Sequence, residues 1–591
     1  MKTRKLLALL LSACMVLGIL AGCGSSSSDT TAASGSTAAA EEEDEEEDDD
    51  DLFVPTVVAE TPAAEDSAEE GEEAEDAEPA GPSYTLPISE EGLTYSIWMT
   101  YAPFAADLVN TETMEGMLVL DTLQEVTNIH FDVSAANGAA EQDNFNLMIA
   151  SGDYCDILSS MNFYATGLEG AVEEGIVQDL ADVLPEKCPT YWSYLTSNIP
   201  ALMEAYTNAG YMPEICVLTP EVGQEVIGPV YRQDWAEEFG ITDMKTLDDL
   251  YDYLEKAYTE KGAIYEIAST EGVVGELAYG MNLQLGDYEV VDGVVEYAEA
   301  QDSFKDYLLF MNRLYTNGII SQDFMSSTSE DLSSSARMDF GLGTNSLVAV
   351  SAANSSDIVM NVTDENFNMA VMPPVSADGT TEAHVGPTTL ETTMKDNDPW
   401  CFSADCEDID PLLQMVEYLF SDEGYILTNY GVEGETFEYD ENGDPQYTDL
   451  VINNPDGLSY FFASYVYVTN AASGFFPYIN DMTKTFYDFN DNQWALYEEL
   501  KGMSDCTYNY PSYAVLSTDE TTEYNAIESD LSTYAEEAIL QFITGATDIE
   551  EGFDAFVEKL YDMGLQDMID IKQAAYDRAM ARLDGINAQL A

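Results

Sequence analysis

Cys23 is the residue whose setting points most directly to chemistry. It follows Leu20-Ala21-Gly22, and an apolar run from Leu6 to about Leu20 stands before it, behind the positive Lys2, Arg4 and Lys5. A charged head, a short apolar stretch and small residues at a cut describe a secretory leader. Small side chains at 21 and 22 let an extended backbone enter a peptidase groove, and the next thiol is a nucleophile for acylation. The spacing predicts loss of residues 1–22 and lipidation of Cys23 on the extracellular face of the cytoplasmic membrane. The plainer alternative is an ordinary leader followed by a chance Cys. No other segment reaches about 18 consecutive apolar residues, so no permanent membrane span is expected.

The other reactive side chains exclude more than they suggest. Six further mature cysteines (Cys155, Cys188, Cys216, Cys401, Cys406 and Cys506) form no C-x-x-C pair, and the only histidines are His130 and His384. Zinc and other transition-metal sites need tighter clusters, so no metal and no cofactor is expected. A Ser-His-Asp or Cys-His arrangement would depend on one of two isolated histidines. Carboxylates are too numerous for any pair to stand out as hydrolytic acids, and no enzyme activity is expected. The chain has 113 acidic and 18 basic residues, a net charge of −95. Nucleic acid requires a basic face, and polyanionic ligands are repelled. A neutral solute fits best.

These residues must be positioned by a folded body that begins well after the lipid site. Residues 23–84 hold the lipidated Cys and a linker of Ser, Thr, Ala, Glu, Asp, Pro and Gly, including the unbroken acidic run 41–51. Such composition cannot repay the entropy of ordering, which predicts a disordered tether. About 60 residues span about 40 Å as a relaxed coil and up to about 200 Å when stretched. Residues 85–591 are too many for one core, so two lobes are expected. Tyr95–Met99 reads as a strand, Met114–Val126 as a helix, Ile129–Val133 as a strand, Asp143–Ser151 as a helix stopped by Gly152, and Asp156–Leu158 as a short buried strand. That alternation predicts an α/β fold whose parallel sheet is covered by helices. Ligands of such sheets sit beyond the carboxyl ends of the strands, placing 99–104 and 159–164 on the rim of a cleft.

Several segments resemble the family 1 extracellular solute-binding proteins that serve carbohydrate ABC importers, in the family's order. NFNLMIASGDYCDIL (144–158) resembles the family's helix-turn-strand. EEGIVQDLADVLPEKCPTYW (173–192), VYRQDWAEEFGITDMKTLDDLYDYL (230–254) and PLLQMVEYLFSDEGYILTNYGVEGETF (411–437) follow, and 539–578 resembles the C-terminal helices. The similarity is to the long lipoprotein subgroup of Gram-positive bacteria. It implies a two-lobed, type II periplasmic-binding-protein fold, each lobe a mainly parallel sheet flanked by helices and joined by hinge strands. Crossings are expected near 213–229, near 372–403 and somewhere after Phe437. Lobe 1 would then hold about 90–215 and 395–440, and lobe 2 about 225–390 and 441–591. The resemblance implies a monomeric receptor that captures an oligosaccharide and delivers it to ABC permease subunits. A peptide-binding receptor and a ligand sensor for a signalling kinase remain as alternatives. Many relatives carry a calcium loop where this chain reads YTEKGAIYEIAST (258–270), which lacks the spaced oxygen ligands calcium needs. In YDENGDPQ (439–446), Asn442-Gly443 reads as a hairpin turn.

Sugar rings offer apolar faces to aromatic side chains and hydroxyl rims to carboxylates and amides. With 37 Tyr, 23 Phe and 5 Trp, most aromatics must be core. Trp98 and Tyr101 end the first strand and Tyr164 follows the third, which makes them ligand candidates. Asp156 stands where the family's cleft-facing acid lies, or caps the next element. Trp400 and Phe402 fall in the expected return crossing. Glu433, between Gly431 and Gly434, points into the cleft or caps a helix. Trp235 reads as packing its helix onto a lobe, and Phe475 and Phe476 as either a cleft loop or a packing corner.

Overall fold

Alternating apolar residues make Leu93–Thr100 (β1) a strand with both faces covered: Ile97 and Met99 enter one apolar cluster and Trp98 another. Leu118–Thr127 (α1) buries Val119, Leu120 and Leu123 along one stripe and stops at Asn128, which adopts a left-handed φ of 55°. Ile129–Ala136 (β2) returns beside β1, and Glu141–Ser151 (α2) ends at Gly152, where φ is +68°. Ile157–Leu158 (β3) then pairs on the other side of β1. Both pairings are parallel, with Ile97 opposite Val133 and Ile157. The strand-helix alternation expected from sequence is thus present, with boundaries moved by a few residues.

The computed structural model describes residues 53, 55, 83–101, 105–106, 108–136, 141–219, 227–241, 243–265, 277–322, 324–326, 346–347, 349–351, 368–380, 382–386, 396–469, 475–481, 484, 494–495, 498–499 and 502–590. Cys23 and the acidic run lie outside them. Among the described residues no helix is long and apolar enough to cross a membrane.

The short helices Gly167–Glu173 (α3) and Ile199–Ala205 (α4) precede Glu214–Val217 (β4). The chain then reaches Ile227–Arg232 (β5) in a second apolar body. There Gln233–Phe239 (α5) leads to Leu247–Lys256 (α6), which starts with a reciprocal cap: the Thr246 hydroxyl accepts from Asp249 N and the Asp249 carboxylate accepts from Thr246 N. The hairpin Tyr288–Val291 (β6) and Val294–Tyr297 (β7) and the helix Asp302–Thr316 (α7) follow. Ala349–Ser351 (β8) and Met369–Val371 (β9) flank β5, both antiparallel to it. Gly280 lies so close to this layer that a Cβ there would come within 2.4 Å of Val375 N, so only Gly fits.

Asp396–Phe402 (β10) returns to the first body and slots between β3 and β4, antiparallel to both, giving the order β2-β1-β3-β10-β4. Asp410–Leu419 (α8), Asp422–Tyr430 (α9) and Tyr460–Tyr467 (α10) pack on that sheet's core. Between α9 and α10, Gly443 at φ +92° turns the hairpin read from Asn442-Gly443. Residues 475–480 run along the end of β4: Leu218 N donates to Tyr478 O and Asn480 N to Leu218 O. The last crossing therefore falls after Asn480. The lobe boundary expected at 440/441 is corrected, because Tyr465, Val466, Phe475, Phe476, Tyr478 and Ile479 all belong to the lobe 1 core. No proline or glycine break marks position 480, and an apolar helix face does not reveal which lobe buries it.

Thr518–Thr544 (α11), Ile549–Asp562 (α12) and Leu565–Leu590 (α13) complete lobe 2. They also touch lobe 1, α11 against α3 and α13 against α4. The expectation of an unpacked linker from 23 to 84 also needs correction at four described residues: the Ser83 hydroxyl donates to Lys187 O and the Tyr84 ring lies 5.4 Å from that of Tyr418. The Phe53 ring lies 5.0 Å from that of Tyr206, and Pro55 is buried.

Candidate functional site

The carboxyl ends of β1 and β3 meet at a small hydroxyl-rich edge. Ser159 N donates to Trp98 O at 3.0 Å and continues the ladder past β3. Ser160 turns sharply at a left-handed φ of 59°. Its hydroxyl lies 3.3 Å from that of Thr100. Ser159 Oγ is buried and has no hydrogen-bond partner among the described residues. A buried hydroxyl without a partner is unusual, and this one stands where a parallel sheet places its ligands. Tyr101 follows directly, half-buried, its N–H donating to Ala136 O. Residues 102–104, also expected on the rim, lie outside the described residues.

Three aromatic candidates are corrected to core. Trp98 is 4% exposed, its ring 5.1 Å from Phe145 beneath α2. Trp400 is fully buried and its indole N–H donates to Phe475 O at 2.8 Å. Phe402 is also fully buried. Both faces of the lobe 1 sheet are covered, so a strand aromatic points into packing whichever face it takes. Phe475 and Phe476 are likewise a packing corner, and Trp235 is buried with the Arg232 guanidinium 4.4 Å over its ring.

The polar candidates also have other work. Asp156 precedes β3, and one carboxylate oxygen accepts from both Ser96 N (2.7 Å) and Ser96 Oγ (2.8 Å), tying β3 to β1. Tyr164 donates to Glu174 at 2.9 Å. Burial, then that bond, push its phenol up to about 12. Glu433 is exposed in a turn between α9 and the hairpin, closed by Gly434 N donating to Phe437 O. Of the seven ligand candidates, only Tyr101 adjoins the hydroxyl edge while remaining half-buried, its ring against the lobe 1 core.

Lobe 2 contributes a cavity of about 440 Å³ where β5, β9 and the 495–499 segment meet, lined by Tyr231, Gln233, Met244, Asn368 and Glu499 among others. Gln233 N donates to Asn368 O at 2.9 Å and the Asn368 amide donates to Gln233 Oε1 at 2.8 Å, which fixes both side chains. Burial and then the Glu499 carboxylate raise the Tyr231 phenol above its ordinary value, keeping it a neutral donor. Among the described residues none lining the cavity is Lys or Arg. Trp494 immediately precedes the lining Ala495 and is 38% exposed, the most exposed of the five tryptophans. Sequence reasoning missed it. Its setting in NDNQWALYEEL (490–500), with apolar Tyr497 and Leu500 at helical spacing, gave no signal that set it apart from a core Trp.

In the stretch 258–270, where calcium is not expected, residues up to Lys261 continue a wide π-helical turn capped by Gly262, and 266–270 lies outside the described residues. Among the described residues no three His, Cys, Asp or Glu side chains converge as a metal site.

No protein-family model matches the chain. The polygalacturonan/rhamnogalacturonan-binding protein YtcQ of Bacillus subtilis (strain 168) is 23% identical over 218 residues, covering 34% of this chain and only 41% of that protein. Lipoprotein LipO of the same organism is 23% identical over 485 residues, 74% of this chain and 84% of that one. Three solved structures each cover 83% of this chain and are themselves covered to 99%. They are alginate-binding protein AlgQ2 (TM-score 0.64, 19% identity), an HMO-binding ABC-transporter-associated solute-binding protein from Bifidobacterium longum infantis (0.65, 16%) and the S. pneumoniae ABC-transporter substrate-binding protein FusA with fructo-nystose (0.64, 17%). With a parallel-stranded rim on one lobe, a cavity on the other and three chain crossings between them, this chain has the two-lobed fold of the ABC-transporter solute-binding proteins.

Proposed function

We propose that the chain is a receptor that captures a neutral oligosaccharide between its lobes and hands it to the permease of an ABC importer. Anchoring is assigned to a lipid on Cys23, which would hold a monomeric receptor at the extracellular face of the membrane near its permease. Two acyl chains suffice for stable attachment where one is marginal. No catalytic role is assigned, in keeping with relatives that are named as binding proteins.

The observation that carries the reading is the chemistry of the two surfaces. Thr100, Ser159 and Ser160 supply hydroxyls on lobe 1, while Tyr231, Gln233, Asn368 and Glu499 supply ring, amide and carboxylate groups on lobe 2. Such groups bind sugar hydroxyls and ring faces. YtcQ and AlgQ2 are named for polygalacturonan, rhamnogalacturonan and alginate. Here the cavity lining carries acids and no base, and the whole chain is at −95, so a uronate would be repelled. The test is a thermal-shift panel on the mature protein, since a ligand that binds only the native state raises its melting temperature. Neutral oligosaccharides should raise it and oligogalacturonate should not. A rise with oligogalacturonate alone would overturn the neutral assignment, and a rise with peptides alone would overturn the carbohydrate assignment.

A further inference from the structure

Phe53 is the only aromatic between Cys23 and Tyr84, and it directly follows the acidic run and Leu52. Among the described residues of that region, it and Pro55 meet the folded body far from where the linker ends. The Phe53 ring lies 5.0 Å from Tyr206, and a Cβ on Gly210 would come within 2.7 Å of it. The seat therefore exists only because position 210 is Gly. From the other side comes Arg582 of α13, whose guanidinium carbon is 5.7 Å from the same ring.

Arg582 is 2% exposed. It donates to Phe53 O (3.1 Å), Thr207 O (3.3 Å) and Asn208 O (3.5 Å). Two residues further along the chain, Pro55 O accepts from Gln589 at 3.0 Å. A buried cation must have its donors satisfied, and one of the acceptors meeting this need comes from the linker. The seat spans both lobes: Tyr206 belongs to the lobe 1 core, whereas Ala579 and Ile586, flanking Arg582 on α13, belong to the lobe 2 core.

We propose that Phe53 and Pro55 form an internal strap, docking the linker into the seam between loop 206–210 and α13 and completing the coordination of Arg582. The linker is then divided in two. If Cys23 carries the lipid, the tether to the first held residue is about 30 residues rather than about 60, and its relaxed span falls from about 40 Å to about 30 Å. The docking itself does not depend on the assigned ligand or on the lipid.

Hydrogen exchange on the full mature chain tests this. The Gly210 and Tyr211 amides, which donate to Thr207 O and Thr207 Oγ beside the Phe53 ring, should be protected. Phe53→Ala should speed exchange at 207–211 at least tenfold, and deleting five residues from 41–51 should leave those amides unchanged. Gly210→Ala, which blocks the seat without touching the linker, should speed exchange at 207–209 and 211 to a similar extent, and adding Phe53→Ala to it should change nothing further. Exchange at 207–211 unchanged by Phe53→Ala, or fully additive effects of the two substitutions, would overturn the strap.

Discussion

Trp400 and Trp494 teach most when set side by side. Trp400 lies on an interior strand of the lobe 1 sheet and is fully enclosed, its N–H committed to a backbone carbonyl. Trp494 lies beside the lobe 2 cavity and keeps more than a third of its surface open. Proximity of a tryptophan to a hinge strand thus says little about binding. What decides is whether the layer that carries it has one open face. In lobe 1 helices cover both faces of the sheet, so the strand ends at Thr100, Ser159 and Ser160 are where the proposed ligand would meet it. In lobe 2 the short strands β5 and β9 leave a hollow that side chains line.

The sharpest way to break this contrast is Trp400→Ala. Removing a buried indole costs about 3–5 kcal/mol, and here it also strands Phe475 O. Denaturant unfolding should show that loss, while oligosaccharide affinity measured on the still-folded fraction stays near that of the unaltered protein. A stable variant with abolished affinity would return Trp400 to the site.

Next in size is a pH effect confined to lobe 2. Glu289 and Glu299 sit on the β6–β7 hairpin and the turn after it, each nearly fully buried and accepting a backbone N–H, from Gln284 and Gly286 respectively. Burial raises Glu289 from 4.5 to about 8, with repulsion from Glu299, Glu296 and Asp287 adding to it, and raises Glu299 to about 7, with Asp287 adding to it, while backbone donors oppose both rises. The folded state then holds protons that the unfolded chain has already released. Their stabilisation is complete below about pH 4.5 and is lost as pH climbs through 7 and 8. Melting temperature should fall by several degrees between pH 5 and 8, and Glu289→Gln should flatten that slope. A flat profile in the unaltered protein would show that both carboxyls are ionised when buried.

Trp494→Ala should do the reverse of Trp400→Ala. Melting temperature should stay within about a degree, and affinity should fall about tenfold, the equivalent of about 1.4 kcal/mol. Titration calorimetry checks it, and unchanged affinity removes Trp494 from the site. The smallest effect belongs to Ser159→Ala. Its hydroxyl is buried without a partner, so its removal should leave the free protein equally stable or slightly more so, while binding weakens by about 0.5–1.5 kcal/mol. A loss of stability with affinity intact would mean that the hydroxyl has a structural partner.

The first strands and helices of lobe 1 were legible because β1 alternates and α1 repeats at helical spacing, so each carries its own period. The position of Ser159 and Ser160 at the carboxyl end of β3 was legible for the same reason. The side chains there were not. Trp98 reads identically as the last aromatic of a strand whether α2 covers it or leaves it open, and α2 is brought over it by the βαβ connection. Asp156 is three residues from Ser159 in sequence, yet its carboxylate turns back to Ser96 because a nearby strand offers an N–H and a hydroxyl.

Composition and spacing by themselves set the expectations of a leader, a lipid on Cys23, an acidic tether and no nucleic-acid partner, and they determined an α/β body divided into lobes. These follow from short stretches of chain whose physical preference does not depend on distant residues. Only the tertiary structure decided the rest: that residues 441–480 join lobe 1, that Trp400 is core while Trp494 is open, and that Phe53 leaves a polar tether to lie against Gly210 and Arg582. Each of these pairs a residue with partners dozens to hundreds of positions away. Burial belongs to the pair, and no local period records it.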